Sequence, residues 1–530
     1  MEATTEDHGT GAVARRAGIV VGGTLASRLL GALRDAVIAA SFSVGMTDTF
    51  FVAWTIPNTL RGLLAEGAVS AAFIPMFSEV RARQGLPAAR TYLGQFMGTM
   101  LTLLVGVAAL GVFTAPYWAA LYGAGYQRDP VRFDLLVDLT ALLFPYIIFA
   151  GVAAIAMGAL NALGRFAVPA FAPSLLNVSL IAAPLVLVPL AAPFGLSAIK
   201  ALALAALLGG VLQVAVQLPA LARAGMLPIP RPAFQDPAVK RSLGLMLPLL
   251  LGSGIHQVDV LLARLLASFL PTGSQSFLYY SQRVVEIPQG MFAIAIASAA
   301  LPSLAALHQK GDDEGAQRTL RFSLRLTLFI SIPSALAIAA LAEPIVAVVF
   351  GRGAFTAHHI RETAASLAVL AASVWGVAAI HPIVRMFHAY GDTRTPVICS
   401  AINLILFVAV SLITMGPLQH VAIALASAVA TLAQLCALLF FLHRKLGRLA
   451  MGEVLASGVR HAGAALVMAL VVWDLARFGE WSTGGNDPRN LAVFCACLAA
   501  GIAVYATVAY LLGCPELHEL AGSVRRRRKR

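Results

Sequence analysis

Long apolar runs alternate with short polar segments along most of the chain. A membrane-spanning helix needs about 20 mostly apolar residues, and fourteen runs of this kind can be counted in the 530 residues. They cover approximately 17–42, 48–77, 92–121, 134–160, 168–193, 197–222, 241–268, 276–306, 319–349, 363–388, 395–415, 419–442, 462–478 and 491–513. The sequence lacks the long period-two alternation of a membrane β-barrel. The pattern therefore predicts an all-α integral membrane protein with 14 transmembrane helices.

The composition supports a membrane protein, and the distribution of charge predicts its orientation in the membrane. Hydrophobic residues make up 59% of the chain and charged residues 12%, whereas soluble proteins average about 25% charged residues. The polar start, MEATTEDHGTGAVARR, lacks the apolar core of a cleavable signal peptide, so none is predicted. Lys and Arg concentrate in every second loop, and RRRRKR (Arg525–Arg530) ends the chain. This bias is typical of cytoplasmic segments, so both termini are expected in the cytoplasm.

The net charge of +13 could indicate nucleic-acid binding, but its location decides against that partner. The basic tail follows the last apolar run, where it is expected to contact anionic membrane lipids. Arg325 and Arg385 lie near cytoplasmic ends of predicted spans, where long side chains can reach the interface. Replacement of Arg325 by Ala is therefore expected to be nearly silent.

A weak internal repeat divides the chain. ALGRFAVP (162–169) aligns with AYGDTRTP (389–396), 227 residues further on, and SAAFIP (70–75) aligns with SAALP (298–302) at nearly the same offset. The repeated proline is followed by Asn177 in one copy and by Asn403 in the other. Six predicted spans separate the copies, so both should have the same orientation. The sequence predicts two six-helix lobes in parallel repeat plus two C-terminal helices, an architecture of transporters whose substrate site lies between the lobes.

The repeat predicts the domain organisation. From the N-terminus, we expect a polar tail (1–14), an N-terminal lobe (15–223), a cytoplasmic linker (224–240), a C-terminal lobe (241–446), a final helix pair (455–514) and a basic cytoplasmic tail (515–530).

Charged residues interrupt four of the apolar runs, namely spans 1, 2, 7 and 8. Such residues usually face a polar cavity or a charged partner rather than lipid. The basic members are Arg28, Arg34, Arg61, Arg264 and Arg283, and the acidic members are Asp35, Asp48, Glu66, Asp259 and Glu286. These four spans are repeat equivalents, so the charges are expected to converge between the lobes. Arg283 and Glu286, three residues apart, can share a helix face.

Two interpretations of these charges stay open. Internal salt bridges could lock the helices together, or the arginines could line a cationic cavity for an anionic substrate. Arginine at all five basic positions favours the second, because its planar fork suits phosphate and carboxylate. Asp48 is expected near the outer mouth, and Asp259 can pair within its own helix.

Several enzyme and metal motifs are missing from the sequence. No lysine follows a glycine, which excludes a P-loop, and neither a Gly-x-Ser-x-Gly elbow nor a zinc-ligand spacing occurs. The five cysteines, Cys399, Cys436, Cys495, Cys497 and Cys514, are interpreted as small core residues. We therefore predict a protein that is not an enzyme and has no cofactor or metal. A lipid-modifying membrane enzyme is the alternative of a different class, but no buried nucleophile–base pair supports it.

Four stretches resemble a known family. They are SRLLGALRDAVIAASFSVGMTDTFFVAWTIPNTLRGLLAEGAVSAAFIP, FAVPAFAPSLLNVS, VLQVAVQLP and FLYYSQRVVEIPQG. They resemble the signatures of the MurJ/MviN family, in the multidrug/oligosaccharidyl-lipid/polysaccharide exporter superfamily. The likeness extends over nearly all fourteen spans. The resemblance implies a flippase that moves lipid II, the undecaprenyl-diphosphate-linked peptidoglycan precursor, from the inner to the outer leaflet of the bacterial plasma (inner) membrane.

The resemblance also implies roles for particular residues. The family's cavity arginines correspond to Arg28, Arg34, Arg61 and Arg283, and its acidic positions to Asp35, Asp48, Glu66 and Glu286. Gln282 stands where relatives often carry an acid, which makes this cavity more cationic. The roles of His256, Asp259 and Arg264 are not given by the family pattern. The final helix pair resembles the pair that forms a groove for the lipid tail.

Alternatives stay open for the driving force and for the exact substrate. Asp259 or Asn403 could bind a coupling cation, or the membrane potential could act on the cavity charge directly. Membrane lipids and other cell-wall synthesis proteins are candidate partners beside lipid II. The alternative functions are a sister exporter, either a polysaccharide-unit flippase or a multidrug antiporter. A cation-exporting antiporter should have a cavity rich in carboxylates, which the sequence does not show.

Overall fold

Helices form every regular element in the part of the chain that the structure, a computed structural model, describes. The described residues are 5–63, 69–289, 294–447, 451–485 and 487–517; at 5–17, 20, 70–71, 248–256 and 294–301 they are described as helical backbone alone. Their contacts divide the chain into two compact units, unit 1 (Met1–Thr272) and unit 2 (Gly273–Arg530). The all-helical fold class is confirmed for these residues.

Unit 1 contains the first eleven α-helices. They are α1 (Thr5–Ser41), α2 (Val44–Arg61), α3 (Val69–Phe113), α4 (Ala115–Tyr122), α5 (Pro130–Leu143), α6 (Tyr146–Ala162), α7 (Ala167–Phe171), α8 (Ser174–Ala182), α9 (Val188–Ala191), α10 (Ala198–Ala222) and α11 (Pro237–Ser268). A core of aromatic and aliphatic side chains fills the space between α3 and α6. Phe73 lies at its centre, with its ring centroid 5.0 Å from that of Phe96.

Unit 2 contains the remaining ten described helices. They are α12 (Ser274–Pro288), α13 (Ile294–Gln309), α14 (Asp313–Ala340), α15 (Ala342–Phe350), α16 (Ala357–Leu370), α17 (Ser373–Ala389), α18 (Arg394–Leu418), α19 (His420–Leu446), α20 (Gly452–Ala476) and α21 (Pro488–Leu511). Its core joins α14, α17 and α19 through residues such as Leu324, Ile383 and Leu438. The helix pair α20 and α21 joins this unit because α20 packs against α14.

The predicted repeat is visible in the helix ends. Five helices of the first repeat each have an equivalent helix that ends 227 residues later in the chain. The paired end residues are Ser41 and Ser268, Arg61 and Pro288, Phe113 and Ala340, Leu143 and Leu370, and Ala162 and Ala389. The turn after the last pair is also shared, because Gly164 (φ 76°) and Gly391 (φ 70°) both adopt the left-handed conformation that glycine tolerates best. The aligned octapeptides therefore form equivalent corners.

Ten helical segments among the described residues are long and apolar enough to cross a membrane. They match predicted spans 3–6 and 9–14. The four other predicted spans, 17–42, 48–77, 241–268 and 276–306, are the ones that carry the charged residues. The structure thus gives a multi-pass helical membrane protein, while the count of fourteen stays a prediction.

Several predicted boundaries differ from the helices. The run 48–77 is not one helix: α2 ends at Arg61, and α3 starts at Val69 and continues through a segment predicted as a loop. Polar helix formers such as Arg81 and Arg83 sustain α3 there, and Gly85 (φ 81°) bends it. The run 168–193 is divided into short helices, because its prolines remove backbone donors and clash with the preceding turn.

The boundary between the two units also differs from the predicted linker at 224–240. Helix α11 is the repeat equivalent of α1, and we predicted it in the C-terminal lobe. Its described contacts lie with α3, α4 and the 3₁₀-helix Ala124–Arg128, all in unit 1. The repeat in the sequence therefore predicts a division within 224–240, whereas the contacts divide the chain after Thr272.

Candidate functional site

Arg34 of α1 is held in a buried cluster inside unit 1. Its Nε donates to Asp35 Oδ1 at 2.8 Å, and its Nη2 lies 2.7 Å from the same oxygen. Its Nη1 donates to Asn177 Oδ1 of α8 at 3.0 Å. The Asn177 amide in turn donates to the Ser27 carbonyl at 3.0 Å, which ties α8 to α1. All three nitrogens of the Arg34 guanidinium group therefore have partners, which fixes the orientation of this side chain.

The other two arginines of unit 1 are more accessible. Arg28 is exposed on α1. Its distance of six residues from Arg34 places the two on different faces of the helix, as their unequal burial shows. Arg61 is half-buried in the last turn of α2, where a cation is favourable at the negative end of the helix dipole. Its Nε donates to Asn58 Oδ1 at 3.1 Å.

Asp48 pairs with a residue outside the predicted set. Arg132 Nη2 lies 2.7 Å from Asp48 Oδ2, and the aspartate side chain is 1% exposed. The same guanidinium donates to the Tyr126 hydroxyl at 3.1 Å and lies 3.9 Å from the centre of the tyrosine ring. Its Nη1 donates to Thr272 Oγ1 at 3.1 Å. Arg132 was not among the charged residues that the sequence analysis singled out.

Tyr126 completes this buried group. Burial raises the pKa of its phenol far above the ordinary value, and the Asp48 carboxylate adds to the increase. The phenol therefore stays protonated at any physiological pH. The Asp48–Arg132–Tyr126 group is therefore a fixed structural cluster within unit 1.

Arg283 of α12 is the candidate arginine of unit 2. Its Nη1 donates to Glu286 Oε2 at 2.8 Å, and its Nη2 donates to the Tyr279 hydroxyl at 3.1 Å. The predicted shared helix face of Arg283 and Glu286 is therefore observed. The side chains of this pair are 37% and 44% exposed, so unit 2 does not enclose them.

The remaining predicted residues are described unequally. Asp259 and Arg264 are half-buried on α11. Asn403 donates to Gln434 Oε1 at 3.1 Å, and Gln434 donates to Ser400 Oγ at 3.2 Å, which links α18 to α19. Glu66 and the His256 side chain lie outside the described residues. The role of Asn403 in cation coupling stays a prediction.

An apolar cavity of about 440 Å³ lies in unit 1. Its walls come from α2, α3, α4 and the residue after α5, and include Leu60, Leu110, Trp118 and Phe144. The lining is almost entirely hydrocarbon, so an acyl or prenyl chain is better suited to it than a charged group.

Comparison with known families identifies the chain. The family described as lipid II flippase MurJ matches residues 38–486. The chain belongs to the MurJ family. The family resemblance seen in the sequence is therefore confirmed, and a flippase family is one of transporters rather than enzymes.

Curated relatives match the MurJ-family chain along almost its whole length. A probable lipid II flippase MurJ of Vibrio cholerae is 34% identical over 520 residues, which are 94% of this chain and 96% of the relative. A lipid II flippase MurJ of Burkholderia cenocepacia is 35% identical over 505 residues, with 93% and 96% covered.

Solved structures show the fold of this MurJ-family chain. A lipid II flippase MurJ in an inward closed conformation has a TM-score of 0.75 at 23% identity and covers 93% of this chain and 98% of its own. A multidrug transporter of the MATE family in an inward-facing conformation has a TM-score of 0.62 at 14% identity, with 80% and 96% covered. At these identities the likeness concerns the fold alone.

Proposed function

We propose that the chain moves lipid II from the inner to the outer leaflet of the bacterial plasma membrane. Family membership and the names of relatives covered over more than nine-tenths of their length support this substrate. The lipid tail can remain in the hydrocarbon while the diphosphate and sugars cross. Alternating access of two repeat-related halves is the mechanism that the repeat favours.

The proposed contacts for the diphosphate are Arg28, Arg34, Arg61 and Arg283. One observation carries this assignment: Asp48 is committed to Arg132, so it does not offset the four arginines. Three carboxylates, Asp35, Glu66 and Glu286, then stand against four guanidinium groups, which favours a net positive site. A diphosphate leaving water needs opposite charge nearby, because an uncompensated anion is costly in a low-dielectric environment.

The proposed topology has fourteen spans, with both termini cytoplasmic. The positive-inside bias supports this orientation. Two energy sources are compatible with these residues. One is a cation bound at Asp259 or Asn403, and the other is the membrane potential acting on the charge of the cavity. The two differ in what they require, because a bound cation needs a specific ion gradient whereas the potential does not.

The test is flipping of fluorescent lipid II in vesicles that contain the purified full-length protein. We expect protein-dependent movement of the headgroup to the opposite leaflet, and we expect Arg283→Lys to reduce it. Arg318→Lys is the matched control, because Arg318 is 72% exposed and pairs with Glu314 one turn earlier on α14. Imposing a Na⁺ gradient, a proton gradient or a potential alone separates the two energy sources.

One outcome would reject the proposal. Folded protein that leaves lipid II in its leaflet under every gradient, yet moves a lipid-linked oligosaccharide or a cationic drug, would favour a sister exporter. The structural likeness to a multidrug transporter is the reason for including that alternative in the test.

A further inference from the structure

A second buried group of ionisable side chains lies in unit 2, apart from the proposed substrate contacts. His461 is on α20, and Cys514 and Glu516 follow the end of α21. All three are fully buried, and their ligand atoms lie within 4.8 Å of one another. Cys514 was predicted to be a core residue, and Glu516 lies in the predicted basic cytoplasmic tail (515–530). Neither assignment explains this convergence.

The unpaired atoms of the group face each other. Within the described residues, neither ring nitrogen of His461 forms a hydrogen bond, and Glu516 Oε2 accepts none. Buried polar atoms without a partner are rare and require an explanation. His461 Nε2 and Glu516 Oε2 are 3.6 Å apart, which is too long for a good hydrogen bond. Two ligands of one tetrahedral zinc ion lie about 3.3–3.5 Å apart, given its usual bond lengths.

The other carboxylate oxygen is already held in place. Arg325 Nε donates to Glu516 Oε1 at 2.6 Å, and Ser457 Oγ donates to the same oxygen at 2.9 Å. Ligating carboxylates are usually fixed by outer hydrogen bonds of this kind. Oε2 therefore remains directed towards His461 and Cys514, as a monodentate ligand requires.

We propose that His461, Cys514 and Glu516 form a binding site for a transition-metal ion of the zinc class. A thiolate, an imidazole and a carboxylate are the ligands that Zn²⁺ takes, whereas Mg²⁺ and Ca²⁺ prefer oxygen alone. Three protein ligands leave a fourth position for water. The bound ion ties the segment after α21 to α20, so it stabilises the C-terminal helix pair.

The first test measures metal in the purified full-length protein. After growth with zinc, we expect about one zinc per chain, and after stripping, added Co²⁺ should give the absorption of a cobalt–thiolate bond. Cys514→Ser should lose the cobalt–thiolate band and most of the zinc. Cys497→Ser is the matched control, because Cys497 is equally buried on α21 and contacts the Val472 carbonyl at 3.7 Å instead.

The second test does not depend on a ligand variant that could misfold. Ser457→Ala removes one outer hydrogen bond, and it should weaken zinc binding by about 10- to 100-fold while keeping the metal at saturation. A chelator should lower the melting temperature of the wild-type protein and of Cys497→Ser. Folded wild-type protein that takes up neither Zn²⁺ nor Co²⁺ would overturn the proposal. His461 and Glu516 would then form a metal-free ion pair. These measurements are independent of lipid II transport.

Discussion

The Arg34–Asp35 pair of unit 1 and the Arg283–Glu286 pair of unit 2 contain the same kinds of group in different surroundings. The side chains of the first pair are 11% and 2% exposed, while those of the second are 37% and 44% exposed. Arg34 also binds Asn177 on another helix, whereas the contacts recorded for Arg283 lie on its own helix.

The difference separates a buried ion pair from an accessible one, which the sequence could not do. A buried pair must remain complete, because a single remaining charge has no water to solvate it. A half-exposed pair can lose one member at a lower cost in stability, because the remaining charge is less enclosed. Of these two proposed diphosphate contacts, Arg34 is therefore the more firmly held and Arg283 the more accessible.

The largest expected effect follows from breaking the buried pair. Asp35→Ala removes the carboxylate that pairs with Arg34, and removal of one partner from a buried pair costs about 3–5 kcal/mol. We expect a clearly lower thermal midpoint of the detergent-purified protein, together with poor membrane yield. Glu286→Ala is the matched variant, and it should shift stability by less than about 1 kcal/mol. Equal shifts in the two variants would remove the distinction between the pairs.

The next effect concerns transport. Arg283→Lys keeps the charge but loses the planar fork that bonds Glu286 and Tyr279. A charge-assisted hydrogen bond contributes about 1.5–3 kcal/mol, so loss of one to the diphosphate should weaken substrate binding by about 10- to 150-fold. Binding of lipid II to purified variants, and growth of cells depleted of their native flippase, measure this effect.

The controls for this substitution follow from the structure. Arg34→Lys should fail as well, but with a loss of stability that Arg283→Lys does not share. Arg325→Ala, expected to be silent from sequence, is unsuitable, because Arg325 lies 2.6 Å from the buried Glu516. Arg318→Lys replaces it. Full activity of Arg283→Lys at matched protein levels would mean that Arg283 serves only to offset Glu286.

Local patterns in the sequence were enough for much of the fold. Apolar runs predicted the helical class and ten described membrane-length helices, and the 227-residue offset predicted equivalent helix ends. The contact of Arg283 with Glu286 also follows from helical geometry, because residues three apart share a face.

Contacts between distant segments could not be predicted in this way. Asp48 and Arg132 are 84 residues apart, and Arg325 and Glu516 are 191 apart. Their pairing depends on how helices pack, which no local spacing encodes. A basic residue near a helix end is compatible with an exposed position as well as with a buried pair, so Arg325 was assigned incorrectly.

The smallest expected effect contrasts the two repeated corners. In unit 1, Arg165 donates to the carbonyls of Ala220 and Arg223 at the end of α10, both at 3.1 Å. At the aligned position of unit 2, Asp392 lies 2.8 Å from Lys445 near the end of α19. Each corner is thus fastened to a helix end, one through an arginine that stays charged and the other through a carboxylate that can be protonated.

Acid should therefore weaken only the second corner. The hydrogen bond from Lys445, with one from the Thr395 backbone, lowers the pKa of Asp392 from 3.8 to about 2. A lowered folded-state pKa stabilises the protein above the unfolded value and loses that effect as pH falls towards the folded value. The contribution should be complete above pH 5 and decline between about pH 4 and pH 2. Lys445 is 33% exposed, so screening limits the contribution to about 1 kcal/mol.

Thermal midpoints of wild type and Asp392→Asn should differ at pH 6 and converge towards pH 3, while Arg165→Ala should differ from wild type by a constant amount. A pH-independent difference for Asp392→Asn would show that its hydrogen bonds to Thr395, rather than its charge, fasten the corner.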